Sequence, residues 1–183
     1  MPEAWEFDIA FDAKSGHVTR VAAGDNSKFD TYIQAQNRAT DTSRSAVEKL
    51  IPMARELGVV IGLENVWNNL WVKPDLFRNF VASFHDPWVK AYFDIGNHVK
   101  YAPPQEWITK LGALLVKVHI KDFRLNPDGH GGKFVTLREG SIDWPAVRRA
   151  LDEARYNGWT TIEANDLSLP EFNRRLDLIL EGK

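Results

Sequence analysis

The chain has 183 residues, 44% of them hydrophobic and 26% charged, with a formal net charge of −2. That length and composition suit one globular domain with its own core and exclude a disordered or collagenous chain. The absence of cysteine excludes disulfides, zinc ribbons and thiol catalysis, and 23 basic against 25 acidic residues exclude the global basic excess that drives binding to nucleic acid.

Residues 1–6 carry neither a basic segment nor an apolar one, so no secretory leader and a cytoplasmic location are expected. No apolar run is long enough to cross a bilayer, so no membrane partner is expected. A weak strand signal lies at 18–23. Residues 31–57 follow as a helix, with Val47, Leu50, Ile51, Ala54 and Leu57 spaced to make one apolar face. Gly58 sits where a helix C-cap belongs. Residues 59–63 then read as a short buried strand.

Lys73-Pro74-Asp75 opens a second helix that runs to about residue 83, because proline suits a first helical turn. A strand at 89–93 is followed by a helix opened by Pro103-Pro104, with Trp107, Ile108 and Leu111 facing inward. A strand at 114–120 leads to the glycine-rich loop 126–132. Asp143 caps the next helix, whose stripe is Val147, Ala150 and Leu151. After a strand at 160–162, Ser168 and Glu171 match a capping box that opens the last helix, with Phe172, Leu176, Ile179 and Leu180 apolar.

Strand–helix alternation implies a parallel α/β sheet with right-handed crossovers, in one domain spanning residues 1–183. The candidates are an open doubly wound sheet and a (β/α)8 barrel. The barrel usually takes about 250 residues, so length alone favours the open sheet.

The strand ends carry the chemistry. Glu64, Asp94, His119 and Glu163 lie at the C-terminal ends of four successive strong strands. In a parallel sheet those ends share one rim. A single acid there is more often a cap or salt-bridge partner, and a single histidine is more often structural. Four such strands in succession point instead to a shared cation, because crowded carboxylates repel unless a cation neutralises them. One divalent ion bound by oxygen and nitrogen donors is expected; Mn²⁺, Mg²⁺, Co²⁺, Fe²⁺ and Zn²⁺ all fit such a set.

Polar residues follow the same strand ends: Asn65, Asn68, Asn97, Lys121, Asp122 and Asn165. The asparagines can bind sugar hydroxyls, orient ligands or simply form turns. Lys121 can bind a substrate oxygen or phosphate, or pair with Asp94 or Asp122. His98 and His130 read as solvent or loop residues. Trp67 and Trp71 read as pocket walls or, slightly preferred, as packing beneath a loop. Arg138-Glu139-Gly140 reads as an ordered loop leading to the Asp143 cap.

These motifs resemble the sugar-phosphate isomerase/epimerase superfamily with the xylose isomerase-like TIM barrel. The resemblance is carried by Glu64-Asn65, the stretch from Asp86-Pro87-Trp88 to Asp94-Ile95-Gly96-Asn97, and Val118-His119-Ile120-Lys121-Asp122. Arg138-Glu139-Gly140-Ser141-Ile142-Asp143-Trp144 and Tyr156-Asn157-Gly158-Trp159 before Glu163 extend it. Within the superfamily the motifs are most similar to the L-ribulose/L-xylulose 5-phosphate 3-epimerases and hexulose-6-phosphate isomerases.

The resemblance implies a TIM barrel in place of the open sheet. It implies that Glu64, Asp94, His119 and Glu163 bind one metal ion and that Glu64 and Glu163 are the catalytic acid–base pair. The substrate would be a ketose or ketose phosphate, epimerised at C3 through an enediolate, with Asn65, Asn68, Asn97, Lys121 and Asp122 as substrate contacts. On this plan 18–23 is the fourth barrel strand and about three N-terminal strand–helix units are lacking, so a homo-oligomer is expected to cover the open edges. The alternatives are a non-catalytic or assembly-dependent barrel fragment, or a metal-dependent sugar or inosose dehydratase of the same superfamily.

Overall fold

Four short stretches, three of them rich in β-branched and aromatic residues and each separated from the next by at least one helix, form the central sheet. The computed structural model describes residues 8–183, so the leader expectation for residues 1–6 lies outside the described residues. In chain order the elements are β1 (Ala10–Phe11), β2 (Val18–Arg20), α1 (Asp30–Leu57), β3 (Ile61–Glu64), α2 (Pro74–Ala82) and β4 (Val89–Asp94). They continue with α3 (Pro104–Leu111), β5 (Leu115–Ile120), β6 (Asp122–Leu125), β7 (Gly132–Val135), α4 (Trp144–Glu153), β8 (Trp159–Ile162) and α5 (Leu169–Leu180).

The central sheet has the order β3-β4-β5-β8 and is parallel throughout. Residues alternate across it with the period of two that a pleated strand imposes. On β4, Val89, Ala91 and Phe93 are buried, and Phe93 stacks on Trp107 of α3. Lys90 and Tyr92 point to the other face. The core on the helix side joins Leu76, Phe77 and Phe80 of α2, Trp107, Ile108 and Leu111 of α3, and Val147 and Leu151 of α4. Burying such side chains is worth roughly 1.5–3 kcal/mol each, which is what holds the helices to the sheet.

The prolines act as expected. Pro74 and Pro104 occupy the first turns of α2 and α3, and Asp143 caps α4 by accepting a hydrogen bond from the Ala146 amide at 2.9 Å.

Several expectations are corrected. The 18–23 signal is not a parallel barrel strand: Val18–Arg20 pairs antiparallel with Ala10–Phe11 in a separate two-stranded sheet. The connection between them is a short turn, closed by the Gly16 amide donating to Asp12 O at 2.8 Å, and a short turn permits only an antiparallel partner. Among the described residues the parallel sheet therefore has four strands, against the eight of a closed barrel.

The strand expected from residue 59 begins at Ile61, because the Val59 amide donates to Ala54 O and completes the cap of α1 around left-handed Gly58. On α1 itself Val47 and Ala54 are buried, but Leu50 and Leu57 are exposed. Ser168 makes no capping hydrogen bond, and the Glu171 carboxylate, which would complete the box by reaching back to the Ser168 amide, is held by Arg174 and Arg175 instead. The 126–132 loop closes a hairpin, β6–β7, that the pattern did not suggest. His98 is buried, not a solvent residue: its ring lies 4.9 Å from Trp107 and its Nε2 lies 3.2 Å from Val66 O.

Candidate metal centre

The register of the sheet brings the rim residues to one place. Asp94 aligns with His119, and His119 with Thr161. Glu64 aligns with Tyr92, two residues below Asp94. Glu163 lies two residues beyond Thr161, its amide held by Ile120 O at 3.1 Å. The short aspartate and the imidazole thus come from the middle level, while the longer glutamates reach in from the two edge strands. A register irregularity beside Ala91 and Tyr92 sets the β4–β5 pairing here; such bulges re-aim side chains.

One ligand atom from each of Glu64, Asp94, His119 and Glu163 lies within 4.8 Å of all the others. His119 Nδ1 is 3.0 Å from Glu64 Oε1, 3.5 Å from Glu163 Oε2 and 3.8 Å from Asp94 Oδ2. Lys121 Nζ is 2.7 Å from Glu163 Oε2 and 3.6 Å from Asp94 Oδ2. Asp94 is fully buried. Its Oδ1 accepts a hydrogen bond from the Asn97 amide at 2.7 Å, whereas its Oδ2 has no hydrogen-bond partner.

A buried carboxylate oxygen without a hydrogen bond is costly. Three carboxylates and one imidazole around it form a donor set suited to a divalent cation. The residues present therefore fit one metal ion.

The electrostatics agree. Burial is the largest influence on Asp94 and raises its carboxyl to about 7, against the lowering pull of Lys121; nearby Glu163 adds to the rise. Partial burial also pushes Glu163 upward, but the Lys121 ammonium, with Asp94 and His119 beside it, outweighs that and holds the carboxyl below its ordinary range.

The remaining sequence-selected residues divide by what their side chains touch. Asn65 is buried and bonds the Asp94 backbone through both ends of its amide, at 2.7 and 2.9 Å. Asn97 donates to Asn65 O at 2.9 Å and accepts from Lys121 Nζ at 3.3 Å. Asp122 is buried and accepts from the Phe123 and Gly140 amides at 2.8 and 3.0 Å. Asn68 is exposed and accepts from the Leu70 amide in a turn.

Lys121 faces open space: with Phe134, Thr136, Glu163 and Asn165 it lines a cleft of about 380 Å³ beside the four ligands. Trp71 packs, stacking on Phe80 at 4.1 Å. Trp67 stays half exposed and meets Phe134 edge-on at 5.0 Å, so it stands next to the cleft wall.

Sequence reasoning did not single out Tyr92, Thr161 or Phe134. Tyr92 and Thr161 occupy alternate positions before Asp94 and Glu163, and the period of two on their strands is the signal that finds them. Phe134 lies on the unexpected hairpin, where the sequence offered no comparable signal.

The family model described as Xylose isomerase-like TIM barrel matches residues 5–179. An uncharacterized protein of Methanocaldococcus jannaschii is 27% identical over 133 residues, covering 69% of this chain and 44% of that protein. A crystal structure of a D-tagatose 3-epimerase-like protein is similar with a TM-score of 0.65 at 24% identity, covering 85% of this chain and 60% of that one. A xylose isomerase-like TIM barrel protein from Mycobacterium smegmatis, in complex with magnesium, is similar with a TM-score of 0.61 at 25% identity, covering 78% of this chain and 50% of that one. The chain spans about half the length of these relatives. With the family model matching nearly its whole length and the barrel-rim geometry in place, the chain belongs to the xylose isomerase-like TIM barrel family.

Proposed function

We propose that the chain carries the metal-dependent proton-transfer centre of a ketose or ketose-phosphate epimerase or isomerase. The observation that carries this reading is the convergence of Glu64, Asp94, His119 and Glu163 to within 4.8 Å around a buried Asp94 oxygen that has no hydrogen-bond partner. The likeness to a D-tagatose 3-epimerase-like protein supports the reaction class.

Glu64, Asp94, His119 and Glu163 would hold the ion. When bound, it supplies Lewis-acid stabilisation of the negative charge that develops on the ketose oxygens. Glu64 and Glu163 reach the site from opposite edges of the sheet, so they can face opposite sides of one sugar carbon. One takes the C3 proton on a carboxylate oxygen while the C–H electron pair moves into the enediolate; the other returns a proton to the opposite face and inverts the centre. Return to a neighbouring carbon gives isomerisation instead.

Lys121 keeps Glu163 ionised, as a proton acceptor must be, and lies at the cleft where a sugar hydroxyl or phosphate oxygen enters. Asn65, Asn97 and Asp122 hold the rim in shape, and Asn68 lies at its margin.

The sheet exposes Val59 and Val60 beside edge strand β3, and Trp159 on edge strand β8. Exposed edges and apolar side chains favour a second copy of the chain covering them. The test is metal content of the purified protein followed by an epimerase assay on ketoses and ketose 5-phosphates. One divalent ion per chain and turnover lost in both Glu64→Gln and Glu163→Gln are expected. Turnover that survives in the double variant contradicts the mechanism.

A further inference from the structure

Behind the four ligands lies a chain of contacts that crosses three strands. The Tyr92 hydroxyl on β4 forms a short hydrogen bond with His119 Nε2 on β5. The same hydroxyl lies 3.0 Å from Thr161 Oγ1 on β8. The Tyr92 and His119 rings are tilted with centroids 4.3 Å apart. Tyr92 has this room because Gly62 on β3 lacks a side chain: a Cβ there would sit 3.2 Å from Tyr92 Cβ.

We infer that Tyr92, braced by Thr161, is a positioning residue that fixes the tautomer and the ring plane of His119. The inference rests on the metal reading above. His119 turns Nδ1 toward the three carboxylates. To bind a cation there, Nδ1 must present its lone pair, so the ring proton belongs on Nε2. That N–H then needs an acceptor in a half-buried place, and the Tyr92 oxygen is the group beside it. A phenol donates only one proton. It accepts from Nε2–H and therefore donates its own to Thr161 Oγ1. The Nε2–H and the phenol O–H then each have an acceptor, with Nδ1 bare. Groups of this kind behind metal-bound histidines are worth roughly 10–100-fold in metal affinity.

The test compares the wild-type chain with Tyr92→Phe and Thr161→Val. Mn²⁺ affinity is measured by chelator competition, and the His119 tautomer of the Mg²⁺-loaded protein is read by long-range ¹H–¹⁵N correlation. Wild type should show the Nε2–H form. Tyr92→Phe should bind Mn²⁺ roughly 10–100-fold more weakly and show mixed tautomers, with its metal-free melting temperature close to wild type. Thr161→Val keeps the tyrosine and should show a smaller loss in the same direction; it carries the test if Tyr92→Phe does not fold. A wild type that binds no Mn²⁺ overturns the metal reading and this inference with it. A wild type that binds, beside variants with unchanged affinity and unchanged tautomer, overturns this inference alone.

Discussion

Asn65 and Asp94 are joined by a two-point amide clamp: Asn65 Oδ1 accepts from the Asp94 amide at 2.7 Å, and Asn65 Nδ2 donates to Asp94 O at 2.9 Å. The clamp ties the end of β3 to the end of β4 where their backbone pairing stops. It fixes the backbone of Asp94, and so the direction in which the buried carboxylate points. Asn65→Leu leaves both Asp94 backbone groups unpaired in the interior. At about 1–3 kcal/mol for each unsatisfied group, a loss of about 2–6 kcal/mol is expected. Urea unfolding of variant and wild type measures it.

A divalent ion that binds only the folded chain stabilises it by mass action. At a concentration about 100 times its Kd the gain is about 2.7 kcal/mol. Thermal melts of the wild type should therefore shift upward with Mn²⁺, and melts of Asp94→Asn should not. Chelator should return the wild type to its metal-free melting temperature.

Gly140 is a position where a side chain has no room. A Cβ built there would lie 2.0 Å from Asp122 Oδ1 and 2.5 Å from Phe123 O. The Gly140 amide also donates to Asp122 Oδ2 at 3.0 Å. Gly140→Ala should cost about 1–3 kcal/mol or more through this overlap. Chemical denaturation gives the number.

Burial holds His98 down at about 3, far from its ordinary 6.5. As pH falls below about 6.5 the unfolded chain takes a proton that folded His98 refuses. The unfolded state then binds more protons, so stability falls with falling pH, by up to about 1.4 kcal/mol per pH unit for this one group. Asp94 has the opposite sign: its raised folded value means stability falls as pH rises toward about 7 in the metal-free protein. Comparing wild type with His98→Gln cancels the Asp94 contribution. The stability gap between them should change in favour of His98→Gln between about pH 7 and about pH 5 in urea titrations.

The parts of this molecule that were legible in its sequence are those set by local chemistry. Prolines at 74 and 104 mark helix starts, Asp143 marks a cap, and Gly58 marks a helix end. Strand ends occupied by Glu64, Asp94, His119 and Glu163 could be read because a parallel sheet puts all such ends on one rim. What was hidden depends on partners distant in the chain. Val18–Arg20 has strand propensity, but only the turn before it decides that its neighbour is Ala10–Phe11. Glu171 could have closed a capping box, yet two arginines one turn onward compete for it. His98 looked like a loop residue because nothing near it in sequence shows that Trp107 will cover it. At the rim, the sequence shows the hydrogen-bonding capacity of Asn65 and Asn97; only the register shows that the Asp94 backbone takes up the Asn65 amide, and that the Asn65 backbone and Lys121 take up the Asn97 amide.

The central claim is that one cation is held jointly by four side chains from four strands. Anomalous diffraction from crystals grown with Mn²⁺ tests it most directly. The account predicts a single strong manganese peak per chain within bonding distance of Glu64, Asp94, His119 and Glu163, with Lys121 displaced from Asp94. A map with no peak there, and Lys121 still bridging Asp94 and Glu163, would contradict it.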